Sequence, residues 1–211
     1  MSIVELANVS KAFEGKELFK GFSLSIEQGE MIAITGNSGS GKTTLLNMIG
    51  LLERCDSGQI VIRNQSNVKV NSRAARKLLR ETISYLFQNF ALVEDETVKY
   101  NLSLALKYAH GTAQQKVEKM RKALDSVGLA GFENKRIFRL SGGEQQRVAI
   151  ARIILKPCEI VLADEPTGSL DQTNRGIILD MIKAINADGK TVIIVTHDPY
   201  VAECCTRQIK L

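Results

Sequence analysis

The chain has 211 residues, of which 44% are hydrophobic and 24% charged, and it carries a formal net charge of +5. These values are ordinary for a globular protein and allow one sizeable core with a small attached subdomain. No apolar run reaches the length of about 18 residues that a membrane-spanning helix needs, so a transmembrane segment is excluded.

The ends and the side-chain content of the sequence indicate a cytoplasmic protein. The amino terminus lacks a basic segment followed by an apolar one, so no export signal is expected. The four cysteines show no C-x-x-C spacing, and reduced thiols are expected. Positive charge is concentrated between Arg63 and Arg80, where a solvated helical face is the favoured interpretation and a phospholipid or nucleic-acid surface the alternative. No aromatic residue lies among these charges, which counts against nucleic acid.

Strand patterns open the chain. Residues 2–35 alternate short apolar segments with turn residues at 14–16 and 28–30, and Met31–Thr35 is predicted to be a buried strand. Helical spacing then covers residues 43–52.

Helices are predicted from residue 89 to about 155, including one that ends at Gly128. Beyond Pro157, strands at 159–163 and 191–196 flank a helix at 173–186. Strands that alternate with helices imply a mainly parallel sheet covered on both faces.

A glycine-rich loop follows the predicted strand Met31–Thr35 and matches G-x-x-x-x-G-K-[ST] in the required strand-to-helix context. Glycine lets the backbone point successive N–H groups at phosphate oxygens, beside the positive end of a helix dipole. We expect Lys42 to reach the β- and γ-phosphates and the Thr43 hydroxyl to bind Mg²⁺. The predicted phosphate-binding residues are Gly36, Asn37, Ser38, Gly39, Ser40, Gly41, Lys42, Thr43 and Thr44.

Two consecutive carboxylates, Asp164 and Glu165, end the apolar strand predicted at 159–163. Ligands of open α/β sheets bind at the carboxyl ends of the strands. Because successive strand residues point in opposite directions, we expect Asp164 to face Mg²⁺ and Glu165 to act as base toward a water that attacks the γ-phosphate. Taken without the glycine-rich loop, an apolar run that ends in Asp-Glu would leave a surface strand end as the alternative.

A second glycine-rich loop, residues 140–147, enters a helix with Ser141 near its N-cap. Free N–H groups, a hydroxyl, two glycines and a positive helix end make a second anion site, although a capped helix without a ligand is the alternative. The residues predicted to contact an anion are Ser141, Gly142, Gly143 and Glu144.

Taken with Gln88, Asp171 and His197, these motifs resemble, in order and approximate spacing, the nucleotide-binding domain of ABC transporters. The resemblance covers nearly the whole chain. It implies an α/β P-loop NTPase fold with a mainly parallel sheet, an N-terminal antiparallel β region and a helical subdomain, and it implies ATP and Mg²⁺ as cofactors. It also implies a head-to-tail dimer in which ATP lies between residues 36–44 of one subunit and residues 141–144 of the other.

The resemblance implies further roles for single residues. Phe13 would stack on adenine, although a core phenylalanine is the alternative. Gln88 would touch Mg²⁺ and the attacking water while its loop meets a membrane permease, rather than being merely solvated. His197 would contact the γ-phosphate and position water, although a lone histidine is more often structural. Asp171, within the motif Ser169-Leu170-Asp171, would belong to a loop that crosses the dimer interface.

These expectations define one domain, residues 1–211, with an ATP-binding core at about 1–88 and 156–211 and a helical subdomain at about 89–155. A chromosome-structuring or DNA-repair ATPase would need a long coiled coil between the two glycine loops, and a translation factor of the superfamily would carry two cassettes, so a transporter subunit is favoured. The permease would hold the chain on the inner face of the membrane, and no nucleic-acid partner is expected.

Residues 165–171 and 87–93 look most like the macrolide, lipoprotein and bacteriocin exporter group, which includes machines that transmit force across the membrane. Two positions depart from the pattern. Residues 51–58 lack a proline that the group often carries, and Glu144 stands where glutamine is common. Neither departure removes a group needed for hydrolysis.

Overall fold

The computed structural model of the chain describes residues 1–13, 15–168 and 170–211, and two β-sheets carry its fold. The strands are β1 (Ser2–Phe13), β2 (Lys16–Glu27), β3 (Met31–Thr35), β4 (Ser57–Ile62), β5 (Gln65–Ser66), β6 (Ile83–Leu86), β7 (Ile160–Asp164), β8 (Thr191–Val195) and β9 (Arg207–Lys210). The helices are α1 (Lys42–Ile49), α2 (Arg73–Glu81), α3 (Val98–Ala105), α4 (Ala113–Ser126), α5 (Gly142–Leu155), α6 (Gln172–Ala187) and α7 (Pro199–Glu203).

The larger sheet is parallel throughout and has the strand order β6-β7-β8-β3-β9. Strands β3, β7 and β8 are buried because alternate residues pack into two hydrophobic clusters, one on each face. The predicted strands and the mainly parallel sheet are confirmed. Ile34 lies opposite Val195, and Val195 lies opposite Asp164, so the loops that follow these three strands meet at one edge of the sheet.

The smaller sheet is antiparallel, with the order β2-β1-β4-β5, which confirms the predicted N-terminal β region. Its strands β1 and β2 are longer than predicted, since each continues to the hairpin turn. Gly15 lies in that turn and Lys16 already begins β2, whereas Glu14 lies outside the described residues. The inner face of this sheet shares a hydrophobic cluster with α1, so the hairpin is packed beside the first glycine loop.

Helices α3, α4 and α5 lie between β6 and β7 in the chain, where the sequence predicted a helical region. Helix α4 begins at a capping box formed by Thr112 and Gln115, and it ends before Gly128, as predicted. The apolar faces of these helices join one cluster with β7 and β8. The division into an ATP-binding core and a helical subdomain stays a prediction.

Several elements differ from the expectation. Helix α1 ends at Ile49 instead of residue 52, because Gly50 caps it and Leu51 turns to a positive φ of 56°. The basic segment is helical only in α2, since Arg63 lies in the turn between β4 and β5. Strands β4, β5, β6 and β9 and helix α7 were not predicted.

All four cysteines are free thiols, as expected. Across residues 1–13, 15–168 and 170–211, none of the helices combines the length and the hydrophobicity that crossing a membrane requires.

Candidate nucleotide-binding site

The first glycine loop leads from β3 into α1 and has the backbone geometry of an anion cradle. Gly41 is the N-cap of α1 with a φ of 94°, and a Cβ there would lie 2.7 Å from the Phe19 ring. A Cβ on Gly36 would lie 2.8 Å from both the Ser40 Oγ and the Leu211 carbonyl oxygen. Both positions therefore require glycine. No side chain caps α1, so its first N–H groups stay free to bind an anion.

Two side chains of this loop suit phosphate oxygens. Lys42 Nζ donates hydrogen bonds to the carbonyl oxygens of Gly36 at 2.9 Å and Asn37 at 3.0 Å, which holds the ammonium over the loop. The hydroxyl of Ser40 is buried and has no hydrogen-bond partner in the described part of the chain. A buried donor without an acceptor is costly, and a phosphate oxygen would satisfy it.

Thr43 and Asp164 form a pair of oxygen ligands at the junction of α1 and β7. The Thr43 hydroxyl donates a hydrogen bond to Asp164 Oδ1 at 3.2 Å. Asp164 is only 8% exposed, and burial, with the charge of Glu165 added, raises the pKa of its carboxyl above the ordinary value. A hydroxyl beside a desolvated carboxylate is the donor set that Mg²⁺ prefers, so these residues fit the predicted cation.

Glu165 and Asp164 have different hydrogen-bond partners, but strand alternation is not the reason. Strand β7 ends at Asp164, and Glu165 adopts a left-handed φ of 45°, so its direction comes from a turn and not from strand alternation. Its Oε1 lies 2.7 Å from His197 Nδ1, and Thr196 Oγ1 donates to its Oε2 at 3.4 Å. The structure therefore brings the predicted base and the predicted histidine into contact.

Gln88 is exposed in the turn after β6. Beyond it, Phe90 and Ala91 both have positive φ angles, of 62° and 46°. The Arg152 guanidinium of α5 donates to the carbonyl oxygens of Phe90 at 2.8 Å and Ala91 at 2.6 Å, which holds this unusual backbone. The sequence did not indicate this role of Arg152, because its partners are backbone carbonyl oxygens, which every residue type possesses.

Phe13 is the last residue of β1, and 44% of its surface is exposed. The alternative of a core phenylalanine is therefore wrong. The ring is available to a planar ligand at the end of the hairpin that packs beside the first glycine loop.

The second glycine loop opens α5, as predicted. Ser141 is the N-cap, and it forms a capping box in which its N–H donates to Glu144 Oε2 at 2.7 Å and its Oγ accepts from the Glu144 N–H at 3.3 Å. The hydrogen bond from the Ser141 N–H lowers the pKa of Glu144, and the charges of Lys135 and Arg147 act in the same direction. Ser141 and Gly142 remain exposed, and a Cβ on Gly142 would meet no atom within 4 Å.

Asp171 lies next to this second loop. It is exposed and is the N-cap of α6, where its Oδ1 accepts from the Asn174 N–H at 2.9 Å. The Asn174 side chain in turn lies against Gly143. Ser169, of the same motif, lies outside the described residues.

The structure thus divides the predicted residues into two groups. Lys42, Thr43, Asp164, Glu165 and His197 meet at the edge of the parallel sheet. Residues 141–144 and Asp171 lie at the N-termini of α5 and α6, and within the described ranges no hydrogen bond joins them to residues 36–44. Gln146, which was not predicted, connects the two regions, because its Nε2 donates to the Pro166 carbonyl oxygen at 2.8 Å, next to Glu165.

Comparison with known proteins agrees with this geometry. The model of the ABC transporter family matches residues 19–168. The macrolide export ATP-binding/permease protein MacB of Campylobacter jejuni is 40% identical over 209 residues, which cover 99% of this chain and 33% of MacB. The uncharacterized ABC transporter ATP-binding protein YknY of Bacillus subtilis is 38% identical over 97% of this chain and 91% of its own length.

A dimeric structure of the ATP-binding cassette MJ0796 in a post-hydrolysis state, bound to ADP and Pi, superposes with a TM-score of 0.89 at 37% identity. The superposition covers 99% of this chain and 94% of that one. The chain spans about a third of the length of MacB and nearly all of YknY and MJ0796. From the family match, these relatives and the geometry of the first glycine loop, it follows that this chain belongs to the ABC transporter family, as one of its ATPase domains.

Proposed function

We propose that the chain hydrolyses Mg²⁺-ATP as one half of a head-to-tail dimer and so powers a transporter of the exporter group. The observation that carries the proposal is the meeting of a free helix N-terminus, a lysine, a threonine–aspartate pair and a glutamate–histidine pair at one sheet edge. Phosphoryl transfer to water needs positioning and charge stabilisation more than covalent chemistry, and these groups supply both.

The cradle residues bind the phosphates. Lys42 would exchange its bonds to the Gly36 and Asn37 carbonyl oxygens for bonds to the β- and γ-phosphates. The N–H groups of residues 37–44 and the Ser40 hydroxyl would donate to the remaining phosphate oxygens. The base would stack on Phe13.

Thr43 and Asp164, with Gln88, would hold Mg²⁺. When bound, the cation neutralises negative charge on the β- and γ-phosphate oxygens. Burial, first, and the charge of Glu165 raise the pKa of Asp164, and a cation held by this carboxylate would act in the opposite direction.

Glu165 would accept a proton from the attacking water, and His197, 2.7 Å from it, would orient that water and contact the γ-phosphate. A carboxylate oriented by a second side chain is the arrangement that a general base needs. Asp164 contacts Thr43 while Glu165 contacts His197, so one acid would serve the cation and the other would serve the water.

The second glycine loop would complete the site of a partner subunit. In the described part of the chain, residues 141–144 form no hydrogen bond with residues 36–44, and Ser141 and Gly142 are exposed. In a head-to-tail dimer, the exposed N-terminus of α5 would bind the γ-phosphate held by the other subunit, and Asp171 would lie at the interface.

A groove near Gln88 would receive the permease. Its volume is about 1460 Å³, and α2, β6, the turn after β6, the end of α3 and residues of α5 line it. Apolar residues form much of its lining, and its charged side chains are six cations and a single carboxylate, Glu81. We infer that an acidic cytoplasmic segment of the permease binds here and holds the chain at the inner face of the membrane. The cationic residues are Arg73, Arg76, Lys77, Arg80, Arg152 and Lys156.

The variant Glu165→Gln tests the catalytic assignment. It should bind ATP within about twofold of wild type and hydrolyse it at least about a hundredfold more slowly, because the base is removed while the shape is kept. It should also trap a dimer with ATP, which size-exclusion chromatography with light scattering would measure. Lys42→Ala is the matched control, and it should lose ATP affinity in a fluorescent-nucleotide titration.

Wild-type turnover in Glu165→Gln would contradict the role of Glu165, and unchanged affinity in Lys42→Ala would contradict the cradle. Purification of the chain with a ribosome or DNA, in place of a membrane protein, would contradict the transporter assignment.

A further inference from the structure

Lys11 is a buried cation near the turn of the first hairpin. Its side chain is 8% exposed, and its Nζ lies 2.9 Å from Glu53 Oε1 and 3.3 Å from Asp56 Oδ1. The second oxygen of Asp56 accepts a hydrogen bond from the Ala12 N–H at 2.8 Å. Together these bonds tie the end of β1 to the segment between α1 and β4.

The same ammonium lies over the ring of Phe13, 4.6 Å from the ring centroid. A cation at this distance is attracted to the face of an aromatic ring. Because Lys11 covers one face, a planar ligand can stack only on the other. Burial alone would favour the neutral amine, but hydrogen bonds and charges from Glu53 and Asp56 outweigh it and raise the pKa of Lys11, so the cation persists.

The segment that carries Glu53 and Asp56 follows α1, and α1 begins at Lys42 in the phosphate cradle. The two carboxylates therefore connect the cradle to Phe13 through a single short helix and a buried lysine. This connection sets the position of the Phe13 ring relative to the phosphates.

We propose that Lys11, with Glu53 and Asp56, is a positioning residue that fixes Phe13 as a one-faced platform for the nucleobase. The proposal rests on the base-stacking role given above to Phe13. A merely structural lysine would affect every ligand of the site alike. A positioning lysine affects only ligands that possess a base.

The test compares ATP with tripolyphosphate, which has the phosphates but no base, in calorimetric titrations of the full chain. Lys11→Met should weaken ATP binding by about threefold to fivefold, the size of an exposed cation–aromatic contact, and leave tripolyphosphate within about 1.5-fold. Phe13→Ala should weaken ATP binding by about tenfold through lost stacking. The double variant should bind ATP no more weakly than Phe13→Ala alone, because Lys11 acts through the ring.

Lys11→Arg should restore ATP affinity to within about twofold, since a guanidinium also packs on an aromatic face. Equal losses for both ligands, no loss for ATP, or additive losses in the double variant would overturn the proposal.

If Lys11→Met does not fold, Asp56→Asn keeps the acceptor for the Ala12 N–H while it removes one charge, and it should show the same selective loss of ATP. A wild-type chain that binds ATP no better than tripolyphosphate would instead refute the role of Phe13. Failure of hydrolysis in wild type would refute the proposed function itself.

Discussion

Asp164 is a single residue of the candidate site whose buried charge lowers the stability of the folded chain. Its carboxyl is buried beside Glu165, and its folded pKa lies above the ordinary value of 3.8. A raised folded pKa means that the native state binds the proton more tightly than the unfolded state does. The stability contribution of Asp164 therefore falls as the pH rises from 3.8 through the folded pKa.

Asp164→Asn keeps an oxygen acceptor for Thr43 and removes the desolvated charge. Without nucleotide at pH 7, we expect the free energy of unfolding to rise by about 1 kcal/mol, which corresponds to a Tm increase of about 2–4 °C in a chain of this size. The gain should vanish near pH 3, and Mg²⁺-dependent ATP binding should weaken. Calorimetric scans measure the first effect, and the exposed Asp180→Asn is the control that should change little. A Tm gain that is the same at both pH values would contradict this account.

Among the helices and strands, α5 is stabilised at its N-terminus by the charged side chain of Glu144, which belongs to the capping box. The pKa of Glu144 is lowered, first by the hydrogen bond from the Ser141 N–H. A lowered folded pKa gives stability that is present above the unfolded pKa of about 4.5 and is lost as the pH falls through the folded value. The carboxylate also lies at the positive end of the helix dipole.

Glu144→Gln can keep the capping hydrogen bonds and loses only the charge, so it should lower the free energy of unfolding at pH 7 by about 0.3–1 kcal/mol. The difference from wild type should shrink as the pH falls below about 4.5, as urea unfolding at pH 7 and at a series of lower pH values would show. An equal difference in the free energy of unfolding at all of these pH values would contradict a stabilising role for the charge of Glu144.

Elements with strong local signals were predictable. Strands β3, β7 and β8 are apolar because both faces of the sheet are covered, and α4 and α6 have clear periodicity and polar caps. The residue types of the candidate site could be predicted, because the binding of phosphate and Mg²⁺ requires glycine, lysine, hydroxyl and carboxylate groups. Strand β9 has one apolar residue and so lacks the apolar run that marks β3, β7 and β8, and helix α7 has five residues, fewer than two helical turns.

Contacts between distant residues were not predictable from local patterns. Lys11 and Glu53 are 42 positions apart, and nothing near either residue indicates the other. The backbone turn that directs Glu165 depends on the bond from its N–H to the Val195 carbonyl oxygen of the neighbouring strand. Such features follow from the assembled sheet.

At the scale of the whole molecule, the proposal that a permease binds in the groove lined by α2 and the turn after β6 can be tested by reversing the charge of groove residues. Arg76→Glu with Lys77→Glu reverses two groove charges, and it should release the chain from the membrane fraction of its host while ATP binding by the isolated chain stays within about twofold of wild type. Lys116→Glu with Lys119→Glu, on α4, is the control with the same change in net charge. Equal membrane recovery of both double variants would contradict the groove as the docking surface.

Two hydrogen bonds from Arg152 connect helix α5 to the turn at Phe90 and Ala91. The helix has 14 residues and is about 21 Å long, with Ser141 at one end and the arginine near the other. A displacement of the turn would therefore act on the carboxyl-terminal part of α5 through these bonds, and in the proposed dimer the other end of α5 would contact the partner's phosphate. Under the proposed function, a movement of the permease at this turn would in this way reach the nucleotide site of the other subunit.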